Sequence, residues 1–342
     1  MYNFRNDYSY GAHPKVLSAL AGTNLEGNIG YGEDTYTNRA KDLIRDLCNC
    51  KGAAVEFLIG GTQTNFVALS FLLRPWESII APVTAHINGH ESGAVEAMGH
   101  KILPVEVGAD GKLRAEQILP ILEYHQDVHL TAPRAVYISD ATESGGVYTK
   151  AELTAISKVC HENGLYLFVD GARLGCALAS DLNDVSLPDL AALTDAFYIG
   201  GTKNGALMGE ALVIVPPEVQ KDFFRFKKQQ GAVLAKGWLL GVQFEALLKD
   251  GLYFEMARHA NAMAMRLQQG FKSKGYELWV DSHTNQVFPI VTAEQRAALE
   301  KHAIFEDWRA ADEPGKFIIR FVTCFQTDVS DVDGLLAALP AL

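Results

Sequence analysis

Between residues 53 and 215, short runs of consecutive apolar residues alternate with stretches whose apolar positions return every third or fourth residue. The runs Ala54–Ile59, Ser78–Ala81, Lys101–Val105, Ala135–Ser139, Leu165–Asp170, Ala196–Ile199 and Ala211–Val215 predict strands buried on both faces. Helical spacing marks Thr62–Leu73, Ala151–Glu162 and the earlier set Ala40, Leu43, Ile44 and Leu47. Strands alternating with helices predict an α/β fold of crossover units around a mostly parallel sheet of about seven strands. Pro216-Pro217 breaks the pattern, and long helical stretches follow from about 232 to 274. Met256, Ala260, Met263 and Leu267 share one helical face there and are expected in a core. Two further strand-like runs, Gln286–Val291 and Lys316–Val322, have a helix between them and another after them, which predicts a smaller α+β domain. The expected division is a large domain over 1–232, its first thirty residues contributing to an interface, and a small C-terminal domain over 233–342. The chain has no internal repeat and no low-complexity tract.

At 342 residues, 48% hydrophobic and 21% charged, the chain can bury a large core and is expected to be soluble and globular. A net charge of -11 and a pI near 5.4 argue against nucleic acid or an anionic membrane as partner, since no basic face is large enough to neutralise many phosphates. The five cysteines, Cys48, Cys50, Cys160, Cys176 and Cys324, are scattered and lack a Cys-x-x-Cys pair, so neither a disulfide framework nor a metal site is expected. The first residues resemble no signal peptide, and no run approaches the ~20 apolar residues of a membrane span. The expected location is the cytoplasm.

The chemistry gathers at strand ends. Phe168-Val169-Asp170-Gly171-Ala172-Arg173 places an acid where one predicted strand stops, and Gly200-Gly201-Thr202-Lys203-Asn204-Gly205 places a lysine after another. In an open α/β sheet that edge is where ligands bind. A carboxylate and an amine delivered there suit pyridoxal 5'-phosphate (PLP), which needs an amine for its Schiff base and an anion against its pyridinium nitrogen. Plainer readings stand beside this one: Asp170 as a cap before a glycine, and Lys203 as a solvated turn lysine. The three glycines around Lys203 favour tight backbone packing near a ligand. Gly60-Gly61-Thr62-Gln63-Thr64-Asn65, which follows a strand and opens a helix, is either an ordinary glycine turn with a threonine cap or a phosphate cradle on a helix N-terminus.

Taken together, Tyr31-Gly32-Glu33-Asp34, Asn38, Gly61-Thr62, Val169-Asp170-Gly171-Ala172-Arg173, Thr202-Lys203-Asn204-Gly205 and Ile319-Arg320-Phe321-Val322-Thr323 resemble the low-specificity threonine aldolases. Those enzymes belong to the β-eliminating lyase group of fold-type I PLP enzymes. The resemblance runs over nearly the whole chain, in the expected order. It implies that Lys203 forms the Schiff base, that Asp170 meets the pyridine nitrogen, that Gly61 and Thr62 hold the phosphate, and that His86 stacks on the cofactor face. Arg173 would reach the phenolic oxygen or the substrate carboxylate, and Arg320 would clamp that carboxylate with a planar fork. Tyr31 is carried over as a substrate ligand, and so is Asn6, which stands where relatives usually have serine. Lys236 or Lys228 would cross a dimer interface to the phosphate.

One departure bears on the mechanism. A branch of the family has a histidine after the strand ending near Ser139, whereas this chain reads Ala141-Thr142-Glu143-Ser144, with Glu143 nearest that position. The base for the substrate hydroxyl is then His86, Glu143 or a phosphate-bound water. The implied reaction is retro-aldol cleavage of L-threonine or L-allo-threonine to glycine and an aldehyde, in a homodimer or homotetramer with shared sites. An aminotransferase or a β-eliminating lyase acting on another small amino acid would use the same lysine and aspartate, and a PLP-fold protein without turnover is a third reading.

Overall fold

A computed structural model describes residues 1–339. Its large sheet has seven strands: β1 (Ala54–Leu58), β2 (Glu77–Pro82), β3 (Ile102–Val105), β4 (Ala132–Ser139), β5 (Tyr166–Asp170), β6 (Ala196–Gly200) and β7 (Glu210–Ile214). In space they run β1-β7-β6-β5-β4-β2-β3. All neighbours are parallel except β7, which lies antiparallel to both β1 and β6. The expected α/β architecture is therefore present, and each expected strand lies within a few residues of its place.

Helices on both faces explain why these strands read as unbroken apolar runs. Val136, Ile138, Val169, Phe197 and Ile199 point into one core, against the helices α1 (Thr35–Leu47), α3 (Lys150–Glu162) and α4 (Trp238–Leu248). Their alternates Tyr137, Phe168 and Tyr198 point into the other, with α2 (Gly61–Leu72). With period-2 side chains buried on both faces, no polar position is needed within a strand. The register sets Ser139 beside Asp170 and Gly200 opposite Glu210, so several polar groups meet at the C-terminal edge of the parallel strands.

The helical stretch resolves into α4 and the 22-residue α5 (Leu252–Ser273). Leu252, Tyr253 and Met256 at the start of α5 pack in the first core. Met263, Ala264, Leu267 and Phe271 pack in a separate core with Phe4, Val287, Phe321 and Val332. Burial of Met256, Ala260, Met263 and Leu267 agrees with the helical face expected for them.

Around the second core lie β8 (Gln286–Val287), β9 (Ile290–Thr292), β10 (Glu306–Ala310) and β11 (Lys316–Val322). One expectation is corrected here. The run Gln286–Val291 is two strands rather than one, because Pro289 has no N–H for the ladder. Strand β11 lies inside this sheet, pairing with β9 and β8 on one side and β10 on the other. Strand β10 went unforeseen because Glu306-Asp307-Trp308-Arg309-Ala310 has no apolar alternation. Tyr2–Asn3 adds a short parallel pairing with Ala303–Ile304, tying the N-terminus to this unit. Among the described residues, no helix is long and apolar enough to cross a membrane.

Candidate active site

A cavity of ≈ 910 Å³ opens at the C-terminal edge of β4, β5 and β6 and is closed on its far side by β10 and β11. Gly61, Thr62, His86, Glu143, Asp170, Arg173, Lys203 and Arg320 all line it. Eight of the expected site residues are thus brought together from segments spread over more than 250 positions. Asn6, Tyr31 and Lys236 do not line it. The Asn6 side-chain oxygen accepts from the Tyr8 N–H (3.0 Å) and the Ser9 hydroxyl (2.8 Å) of its own turn. Tyr31 borders a second, smaller cavity, with the Lys228 Nζ 4.7 Å from its ring centre, and Lys236 is exposed.

Asp170 is buried and saturated with donors. Its Oδ1 accepts from the Tyr198 hydroxyl (2.5 Å) and the Ala172 N–H (2.9 Å), and its Oδ2 accepts from the Tyr137 hydroxyl and Asn65 Nδ2 (3.0 Å). Burial pushes this carboxyl up, but the hydrogen bonds from Tyr137, Tyr198, Ala172 and Asn65 together hold it below the usual carboxylate range. It remains an anion at the cavity wall. Tyr137 and Tyr198 themselves read as apolar strand residues, which hid their role.

The turn that carries Lys203 is anchored on all sides. The Gly201 N–H donates to Glu210 Oε2 (3.0 Å), the Gly209 N–H to Thr202 Oγ1 (3.0 Å), and Asn204 Nδ2 to the Tyr253 carbonyl (2.8 Å). Gly205 takes φ +88°, a left-handed conformation that favours glycine over any residue with a Cβ. Burial and the nearby Arg173 guanidinium push the Lys203 ammonium down from its ordinary value, against the opposite pull of Asp7, Asp170 and Glu210. The amine is thereby moved toward its neutral, nucleophilic form. Burial raises Glu210 to about 7.

Arg173 Nε and Nη2 both donate to Asp7 (2.8 and 3.2 Å), which Asn285 Nδ2 also meets at 2.9 Å. Arg320, on β11, pairs through Nη2 with Glu306 of β10, donates through Nη1 to Gln286 (3.2 Å), and lies over the Trp308 ring. Its Nε is buried without an acceptor. Glu143 Oε1 accepts from the Ser139 hydroxyl (2.8 Å) and the His86 N–H (3.1 Å), while Oε2 is buried and unpartnered. Burial pushes the Glu143 carboxyl up. His86 Nδ1 meets Glu91 Oε1 at 2.8 Å.

These residues fit PLP. The first turn of the 12-residue α2 leaves the N–H groups of Gly61, Thr62 and Gln63 without helix carbonyls, and its N-cap Gly60 offers no side chain to take them. Asp170 supplies the buried anion, Lys203 the amine, and Arg320 an unmet donor for a carboxylate. Asp7, Asn65, Glu91, Glu210 and Asn285 also build the site but carried no signal along the chain, since each meets its partners across long sequence separations or in a turn.

Residues 3–294 match the family described as beta-eliminating lyase. A low specificity L-threonine aldolase from Pseudomonas sp. (strain NCIMB 10558) is 34% identical, over 99% of this chain and 97% of its own length. The solved structure of a threonine aldolase from Leishmania major superposes with a TM-score of 0.96 at 44% identity, covering 98% of each chain. At 16% identity, an aspartate aminotransferase from Thermus thermophilus shares the fold alone, with a TM-score of 0.73 over 99% of this chain and 90% of its own.

Proposed function

This chain belongs to the β-eliminating lyase family, and from that premise we propose that the cavity around Lys203 is the active site of a threonine aldolase. The protein is a PLP-dependent lyase of fold type I that cleaves a β-hydroxy-α-amino acid to glycine and an aldehyde. The observation that carries the site assignment is two buried groups lining one cavity: Asp170, kept anionic by four donors, and Lys203, kept toward its neutral amine.

When bound, PLP supplies a sink for the electron pair left on the substrate α-carbon. Lys203 Nζ would be the amine that holds the cofactor's aldehyde carbon, and Asp170 the anion that would favour a proton on its ring nitrogen. Gly61 and Thr62 present α2 N–H groups to the phosphate. His86, on the cavity wall, would stack on the cofactor face. Arg320 would bind the substrate carboxylate; Arg173, which lines the cavity and is held by Asp7 through Nε and Nη2, would reach the phenolic oxygen or that carboxylate with the rest of its guanidinium. Holding the carboxylate would fix how the α-carbon is presented, and so which of its bonds is placed to break.

We extend the reading to a homodimer or a pair of dimers in the cytoplasm. Leu25, Ile29 and Tyr31 are exposed on the N-terminal segment, an apolar group that a second copy would cover. Tyr31, Lys228 and Lys236 lie away from their own chain's cavity, which supports their reaching a neighbour's, with Lys236 or Lys228 on its phosphate and Tyr31 on its substrate. Asn6 stays a substrate ligand through its amide nitrogen. The free state of all five cysteines suits a reducing compartment.

The test is direct: the purified protein, reconstituted with PLP, is incubated with L-threonine, L-allo-threonine and L-phenylserine. Glycine and the matching aldehyde are expected. Transfer of the amino group to an added 2-oxo acid, with neither product formed, would establish an aminotransferase instead.

A further inference from the structure

The Glu91 side chain has no solvent exposure at all, and the function proposed above leaves it without a task. It follows the short helical turn His86–Gly89, and its Oε1 receives two neighbours: His86 Nδ1 at 2.8 Å and Asn65 Nδ2 at 2.7 Å. Oε2 has no partner. Asn65, on α2, spends its other hydrogen on Asp170 Oδ2, at 3.0 Å. A continuous chain of side chains therefore runs His86, Glu91, Asn65, Asp170, from the cavity wall to the acid beneath the cofactor site.

The polarity of that chain is determined by its chemistry. Asp170 accepts, so Asn65 must turn its amide nitrogen toward both carboxylates. Glu91 then has an acceptor at Oε1, and a buried carboxylate requires a compensating donor or cation. Among the described residues, His86 is the basic side chain within ion-pair distance of Glu91. With Nδ1 donating to Glu91, the proton of the neutral ring sits on Nδ1. Nε2 keeps its lone pair, meets no protein donor, and belongs to a side chain that lines the cavity.

We propose that Glu91 is the positioning residue that makes His86 the base for the substrate β-hydroxyl. Its carboxylate holds the imidazole in the Nδ1–H tautomer and offsets the charge that arises when Nε2 takes a proton, the division of labour of an acid behind a catalytic histidine. In the step itself, the hydroxyl proton passes to Nε2 and the O–H electron pair becomes the second bond of the aldehyde carbonyl. The Cα–Cβ bond breaks, and its pair stays with the α-carbon until a proton returns there to give glycine. Glu143 is the lesser base, since its Oε1 is committed to Ser139 and the His86 backbone and burial holds it toward the neutral acid.

This inference rests on the aldolase reading, and Glu91→Gln tests the two separately. In ¹⁵N-histidine-labelled apoprotein, with the His86 signals assigned through His86→Ala, the wild type is expected to show a neutral ring protonated on Nδ1, and E91Q a shift toward the Nε2–H tautomer. In the PLP-loaded enzyme, E91Q is expected to lower kcat for L-threonine by ~10–100-fold with less than ~2-fold change in KM, as loss of a residue behind a functional histidine does. In a His86→Ala background the same substitution should cost at least about 10-fold less, because the two act as a unit. An Nε2–H ring in the wild type, or an equal loss in both backgrounds, would overturn the proposal. The expected tautomer in a protein that releases no glycine would leave Glu91 orienting His86 and remove the aldolase reading instead.

Discussion

At position 320 the chain holds a guanidinium with one donor, Nε, that is buried and unmet. Buried donors without a partner are costly, and this one belongs to a side chain that lines the cavity, where a substrate carboxylate would meet it. Arg320→Lys keeps the charge and loses the fork. Loss of one charge-assisted hydrogen bond is worth about 1.5–3 kcal/mol, so KM for L-threonine should rise by ~10–100-fold, with kcat changed much less; steady-state kinetics check the split. Asp170→Asn removes the anion but keeps the volume, and a fall in kcat on the order of 10²–10³-fold is expected from loss of one aligned electrostatic partner. At this scale the sequence was legible where a residue stood at a strand end inside a distinctive motif, as Asp170, Lys203 and Arg320 do. It was silent on Tyr137 and Tyr198, whose hydroxyls act although their rings are core, and on Asp7 and Glu91, whose partners are fixed only by the fold.

Among the elements, the end of β5 leaves no room for a side chain at the next residue. A Cβ on Gly171 would meet the Tyr198 carbonyl oxygen at 1.7 Å, and backbone cannot yield as a side-chain tip can. Gly171→Ala is therefore expected to destabilise the fold by about 3 kcal/mol or more, or to prevent accumulation of folded protein, as measured by denaturant unfolding. Asp140, just past β4, is buried with a single hydrogen bond from the Tyr148 N–H, and burial raises its pKa from 3.8 to about 7. Because the folded value lies above the unfolded one, the native state holds an extra proton between those two pH values. Stability from this group is present below pH ~4 and is lost as pH rises toward 7. At 1.36 kcal/mol per unit the loss is at most about 4 kcal/mol, and Asp140→Asn should flatten that decline; unfolding at pH 5 and pH 8 checks it.

For the whole molecule, two cores are joined by α5 and by the N-terminal segment, and the site lies between them. Phe4 is packed in the second core while Asp7, three residues on, holds Arg173 of the first, so the seam passes through the cavity. Leu267→Ala in the second core should cost about 2–5 kcal/mol and weaken carboxylate binding through Arg320 as well, which unfolding and KM would record together. The doubly covered sheet was legible from its apolar runs and helical intervals. Strand β10 was not, because a polar strand that carries the Arg320 partner has no pattern of its own, and neither was the interior place of β11, which only β10 creates.

The central claim is that Lys203 carries the cofactor of a lyase. It is tested most directly by reconstituting the protein with PLP, reducing it with borohydride and mapping the modified peptide by mass spectrometry. One pyridoxyl adduct at Lys203, lost in Lys203→Ala together with glycine release, is the result expected. An adduct elsewhere, or none, with threonine cleavage intact in the Lys203 variant, would contradict it.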